Sequence, residues 1–148
     1  MFAKFIIIKE FRLPIKFVLE LVSELENTEK LNAKNPLNVI FLVRDPRAIM
    51  ASRKSPDFKF CRKNSKCSDV RVLCSYMREN IASFKHLMEI SHVSLEMHFL
   101  RFEDLTAIDP IGKSRQLFEQ LSLPFTVETE KWIKEHTYAT TNSCFAVN

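Results

Sequence analysis

The sequence predicts an α/β fold, a short parallel sheet flanked by helices. Three observations carry that expectation. Residues 37–43 read LNVIFLV, a nearly unbroken apolar run of the kind that suits a strand covered on both faces of a parallel sheet. Amphipathic helical stripes precede and follow this run, most clearly over residues 70–90. The elements then alternate as β-α-β-α-(loop)-α-β-α-α, an order that favours layered α/β packing. A chain of 148 residues fits about one domain of ordinary size.

Each element has a local reason. Residues 5–13 are apolar and β-branched at Ile6, Ile7 and Ile8, and Pro14 closes them, which predicts a short buried strand. Residues 15–30 place Val18, Leu21, Val22 and Leu25 on one helical face with Glu20, Glu24 and Glu26 facing out. Residues 32–36 read as a turn, and the strand 37–43 completes a βαβ unit. Asp45 is placed to cap the next helix, Pro46 suits its first turn, residues 48–53 propagate it, and Ser55-Pro56 stops it. Residues 54–67 form a polar loop. The helix 70–90 carries the stripe Leu73, Met77, Ile81, Phe84 and Met88. Residues 97–102 predict a third strand ending in Glu103-Asp104. Residues 110–121 and 127–136 are two further helices, split by Pro124 and packed by Phe118, Leu121, Trp132 and Ile133. No repeat, low-complexity stretch or linker divides residues 1–148, which read as one domain entered partway through.

Composition excludes several function classes. The chain has a single glycine, Gly112, where average usage gives about ten. A dinucleotide fingerprint, a Walker loop and an EF-hand each need glycines for close phosphate approach or positive φ, so any phosphate site here must use side chains and helix ends. Lys and Arg number 22 against 18 Asp and Glu, a net charge of +4 that suits anionic ligands without arguing for nucleic acid. Residues 53–66 are locally basic, with Arg53, Lys54, Lys59, Arg62, Lys63 and Lys66 against Asp57, and read either as a solvated loop or as an electropositive lip. Only Phe58 and Phe60 interleave there, so nucleic acid is not an expected partner. Cys61, Cys67, Cys74 and Cys144 match no zinc spacing, so no metal is expected; free thiols and a local disulfide both remain open. The apolar run at residues 5–8 is far short of a membrane span.

The informative segment is LVRDPRAIMASR, residues 42–53. Arg44 emerges at the carboxyl end of a parallel strand, where open α/β sheets bind ligands. Its planar fork suits a phosphate or sulfate. The helix beginning at Asp45-Pro46 lends its amide dipole, less one donor at Pro46. Ser52, eight residues after Arg44 on the same helix, offers a hydroxyl to the same anion, and Arg47 and Arg53 add positive charge. The alternative is that Arg44 pairs with Asp45 or Glu103 and Ser52 merely faces water.

This segment resembles the 3′-phosphate-binding motif of sulfotransferases, in which a strand leads into Arg, then Asp-Pro, then a helix with Ser eight residues after the Arg. The wording LVRDPRA with a downstream SR is similar to the carbohydrate 6-O-sulfotransferases acting on galactose, N-acetylglucosamine or N-acetylgalactosamine. FIIIKEFRL, LCSYMREN, LRFEDL, LSLPF and WIKEHT resemble further segments of that family, so the likeness covers about residues 5–137. The resemblance implies a partial P-loop-like sulfotransferase fold. It implies that Arg44 and Ser52 hold the 3′-phosphate of PAPS (3′-phosphoadenylyl sulfate), the sulfate donor, and that a glycan is the acceptor. It also implies the Golgi lumen, where a disulfide among Cys61, Cys67 and Cys74 would form. The family's 5′-phosphosulfate loop, an Arg-x-Gly-Ser segment, has no counterpart before Gly112. The expectation is therefore a sulfotransferase domain that is inactive or incomplete as this chain. A non-catalytic remnant that binds a nucleotide or anionic glycan, and associates with a full-length relative, is the alternative. None of His86, His92, His98 and His136 lies in a matched catalytic motif. Glu103 and Asp104 read as a strand-ending pair that caps the next turn or meets Arg101, not as a catalytic base.

Overall fold

The computed structural model describes residues 6–10, 13–28, 31, 36–56, 61, 64–90, 92–106 and 109–137. A 3-10 turn at Ile15–Phe17 leads into α1 (Val18–Glu26), followed by β1 (Leu37–Val43), α2 (Pro46–Lys54), α3 (Ser65–Ser68) and α4 (Val70–Glu89). Then come β2 (Leu95–Arg101), α5 (Phe102–Thr106), α6 (Pro110–Gln120) and α7 (Val127–Thr137). β1 and β2 pair in a two-stranded parallel sheet, with the Leu37 N–H donating to the Ser94 carbonyl at 2.8 Å where the strands begin. The α/β class with a short parallel sheet and flanking helices is therefore present. Among the described residues no helix is long and apolar enough to cross a membrane.

The first expected strand is not. Residues 6–10 carry no secondary structure, and Ile6, Ile7 and Ile8 are more than four-fifths exposed (88%, 85% and 83%). Residues 5, 11 and 12 of that expected strand lie outside the described residues. β-Branched residues favour a strand only when a neighbour completes the backbone ladder and covers a face, and among the described residues no strand pairs with 6–10. The βαβ unit expected from 5–43 is replaced by one running from β1 through α2–α4 to β2. β1 is not covered on both faces either: its residues alternate half-buried and exposed, with Ile40 and Leu42 in the exposed set. The expected turn at 32–36 lies outside the described residues except for Pro36, as does much of the loop 54–67.

The chain gathers into two compact units. The first holds Met1–Val39 and Cys74–Met97. Its apolar interior is Ile15, Val18 and Val22 with Phe84 and Leu87 from α4. Asn80 is buried among them and bonded at both ends of its amide: its Oδ1 accepts the Ile15 N–H at 2.8 Å and its Nδ2 donates to the Tyr76 carbonyl at 2.7 Å. A helix start leaves its first amides without intrahelical acceptors, and Asn80 supplies one from another element. The buried stripe of α4 thus ends on Leu87, and Met88, expected inside, is exposed.

The second unit holds Ile40–Leu73 and His98–Asn148. Met50, Cys61, Leu73, Pro110 and Ile133 are buried in it. α5 packs on α6 and α6 on α7. Phe118 meets Phe125 edge to face at 5.4 Å, and Arg115 covers Phe125 while pairing with Glu130 at 3.0 Å. Trp132, expected in this core, is 60% exposed. It stacks on His136 one turn later instead, centroid to centroid 4.1 Å, because α7 buries the face that carries Ile133. α2 touches α3, and a disulfide joins Cys61 to Cys67 of α3 with Cα atoms 5.1 Å apart. Of the four cysteines, Cys74 is free and half-buried, and Cys144 lies outside the described residues.

Candidate functional site

The site is built where the two parallel strands end. β1 finishes at Val43, so Arg44 leaves its carboxyl end and Asp45 becomes the N-cap of α2, with Pro46 in the first helical position. Asp45 accepts the Arg47 N–H at 2.8 Å and pairs with the Arg47 guanidinium at 2.5 Å. These contacts, the Arg47 side chain first and its amide second, pull the Asp45 carboxyl down to about 2 and raise Arg47. The Ala48 amide faces the same carboxylate.

The start of α2 departs from the sequence expectation. The sequence predicts that this helix start lends its amide dipole to an anion, but Asp45 occupies the Arg47 and Ala48 amides with its own carboxylate. An external anion at this strand end must therefore be held by side chains.

β2 finishes at Arg101, and α5 opens immediately with Phe102 and Glu103. Glu103 Oε1 accepts the Asp45 N–H at 2.8 Å. Chiefly for that reason its carboxyl is lowered, helped by its own amide and by Arg101. The Arg44 guanidinium carbon lies 4.5 Å from the Phe102 ring centroid, a cation–π contact. So Arg44 pairs with neither Asp45 nor Glu103. Among the described residues no carboxylate comes within ion-pair distance of it.

Ser52 is exposed, six residues past Pro46, or about 9 Å further along the helix axis. Arg47 is committed to Asp45. Arg53 Nη1 donates to the Cys67 carbonyl at 2.9 Å, which ties the last turn of α2 to the Cys61–Cys67 disulfide. His92 lies 3.9 Å from Glu26, His136 is stacked on Trp132, and His86 is exposed on α4. Among the described residues no three His, Cys, Asp or Glu side chains are grouped to hold a metal.

Sequence reasoning missed the contact between LVRDPRA and LRFEDL. The two segments lie about sixty residues apart, and only pairing of β1 with β2 brings Glu103 to Asp45. The one signal for it in the sequence is that each segment carries an arginine where its strand gives way to a helix.

No protein-family model matches the chain, and no solved structure matches it. Curated relatives do. The chain is 31% identical over 115 residues to carbohydrate sulfotransferase 3 of Tetronarce californica, covering 68% of this chain and 25% of that protein. It is 31% identical over 120 residues to carbohydrate sulfotransferase 3 of Mus musculus, covering 72% and 25%. It is 28% identical over 113 residues to carbohydrate sulfotransferase 1 of Rattus norvegicus, covering 68% and 27%. The chain spans about a quarter of the length of the curated relatives it matches. On these grounds the chain belongs to the carbohydrate sulfotransferase family, as a partial domain of it.

Proposed function

We propose that this chain forms the 3′-phosphate half of a PAPS site in a carbohydrate sulfotransferase domain, with Arg44 and Ser52 as the phosphate ligands. The acceptor is a sugar hydroxyl, in keeping with the names of the relatives, and the motif wording favours the 6-O position of a galactose or N-acetylhexosamine. The compartment is the Golgi lumen, consistent with the Cys61–Cys67 pairing.

One observation carries this reading. The two acids beside Arg44 are each satisfied by another group, Asp45 by Arg47 and Glu103 by the Asp45 amide, while the Arg44 fork rests on an aromatic face with no carboxylate of the described residues on it. An arginine held this way at a strand's carboxyl end suits a bidentate oxyanion. Ser52 adds a neutral donor, and Arg53, bonded to the neutral Cys67 carbonyl, adds positive charge to the same helix.

When bound, PAPS supplies the sulfuryl group and the bisphosphate that leaves. Arg44 and Ser52 orient the nucleotide through its 3′-phosphate and do not touch the transferred group. Within the 148 residues no Arg-x-Gly-Ser segment is present to grip the transferred sulfate. This polypeptide alone therefore binds the desulfated nucleotide PAP (adenosine 3′,5′-bisphosphate) with little turnover. The lone glycine also favours a second reading, a binding protein that works beside a full-length relative.

Titration calorimetry with PAP tests the site. Arg44→Ala is expected to weaken binding by about tenfold or more, Ser52→Ala by less, and Arg44→Lys by an intermediate amount because an ammonium lacks the fork. Unchanged binding in Arg44→Ala and Ser52→Ala would remove the assignment. Transfer of labelled sulfate from PAPS to a galactose- or hexosamine-containing glycan tests turnover; robust transfer by the 148-residue chain contradicts the half-site reading.

A further inference from the structure

An N-cap residue's own N–H has no acceptor within its helix. In a capping box, a Glu or Gln three residues on reaches back to it. α2 has Ala48 at that place, which has nothing to reach with. The acceptor comes instead from the neighbouring strand's end: Glu103 Oε1 takes the Asp45 N–H at 2.8 Å, fifty-eight residues away in sequence. One residue earlier on each side, the Arg44 guanidinium lies over the Phe102 ring at 4.5 Å. Two consecutive residues after β1 are thus seated on two consecutive residues after β2.

We propose that Glu103 is a positioning residue for Arg44: its bond to the Asp45 amide fixes the turn from which Arg44 leaves the strand and lays the guanidinium on Phe102, ready for an oxyanion. The inference rests on the proposed nucleotide site. Its physical basis is preorganisation, since an arginine already held in one direction gives up less rotamer freedom on binding. The role belongs to the carboxyl oxygen as acceptor and not to its charge, because a negative group near a phosphate opposes binding. Glutamine keeps the acceptor and drops the charge, so it separates the two.

The experiment titrates PAP and, for comparison, 5′-AMP into wild type, Arg44→Ala, Glu103→Ala and Glu103→Gln. Thermal unfolding and the exchange rate of the Asp45 amide are measured for each. Glu103→Ala is expected to weaken PAP by about tenfold, reduce the preference for PAP over 5′-AMP, and speed exchange at Asp45. Glu103→Gln is expected to stay within about twofold of wild type in affinity and to keep the amide protected. If Arg44→Ala loses PAP while Glu103→Ala keeps it, the inference fails and the nucleotide site stands. If Glu103→Gln is as weak as Glu103→Ala, positioning through the acceptor is wrong. If Arg44→Ala binds as wild type does, the site itself is misassigned and the inference goes with it.

Discussion

Asp45 does two things at one strand end. It caps α2 through the Arg47 amide, and it engages the Arg47 guanidinium that would otherwise compete with Arg44 for an anion. The same arrangement recurs at the start of α4, where Asp69 accepts the Arg71 N–H at 2.8 Å and its guanidinium at 3.1 Å. The pairing gives Asp45 a definite pH signature. Its carboxyl titrates near 2 in the folded chain, against an ordinary 3.8. The ionised form therefore favours folding. That contribution is fully present above about pH 4–5 and is lost as pH falls through about 2. Asparagine still caps a helix but carries no charge, so Asp45→Asn isolates this effect. Urea unfolding should show wild type more resistant than Asp45→Asn at pH 6, with the gap closing by pH 2 and narrowing in high salt, since Arg47 is exposed. A gap independent of pH would show that Arg47 contributes nothing through charge. At this scale the cap and the arginine were legible in the Arg-Asp-Pro order. Which acid serves which base was not, because Arg47 lies two residues from Asp45 while Glu103 arrives only through strand pairing.

The helix start at Asp45-Pro46 was readable for a similar reason, and the structure repeats it at Asp109-Pro110, where the acid is again the N-cap. The lone glycine gains a local explanation at the second. Gly112 donates its N–H to Asp109 Oδ1 at 2.9 Å, and a Cβ there would overlap Asp109 Oδ2, so any side chain must turn the capping carboxylate aside. The glycine serves close approach, not positive φ. The left-handed position at the other end of α6 is held by Ser122, at φ 53°, with the Leu123 N–H donating to the Phe118 carbonyl at 2.8 Å and the Ser122 N–H to the Glu119 carbonyl at 3.0 Å. That is a Schellman ending with serine at the place glycine prefers. Ser122→Gly is therefore expected to stabilise the chain by roughly 0.5–1 kcal/mol, since it relieves the Cβ crowding of the left-handed region at some entropic cost. A rise in the urea midpoint at unchanged slope checks it; a fall would mean that the unfolded chain's added freedom outweighs the relief. The strand expected over residues 5–13 failed because strand propensity, unlike a cap, has no local partner to satisfy it.

The apolar patterning of the whole molecule is only partly used. The run LNVIFLV reads as a strand buried on both faces, and β1 does form with those bounds, yet Ile40 and Leu42 stand in its exposed set and Phe99 of β2 is half-exposed. With β2 as its one hydrogen-bonded neighbour among the described residues, β1 has the sequence of an inner strand and the surroundings of a much thinner sheet. Exposed apolar side chains at alternate positions of one strand make a contiguous face, the kind of surface that binds hydrophobic dyes and associates. The 148-residue chain is therefore expected to bind anilinonaphthalene sulfonate in its folded state and to self-associate at micromolar concentration in sedimentation velocity. Replacing Ile40 and Leu42 together by threonine puts a β-branched strand former at both positions while removing the apolar face. If those side chains are exposed, the double variant loses dye fluorescence and association while its circular dichroism and thermal midpoint stay near wild type. Unfolding of the variant would instead place Ile40 and Leu42 in a core, as the sequence pattern alone predicts. The two outcomes differ sharply because burying a large aliphatic side chain is worth about 1.5–3 kcal/mol, whereas an exposed one contributes almost nothing to folding.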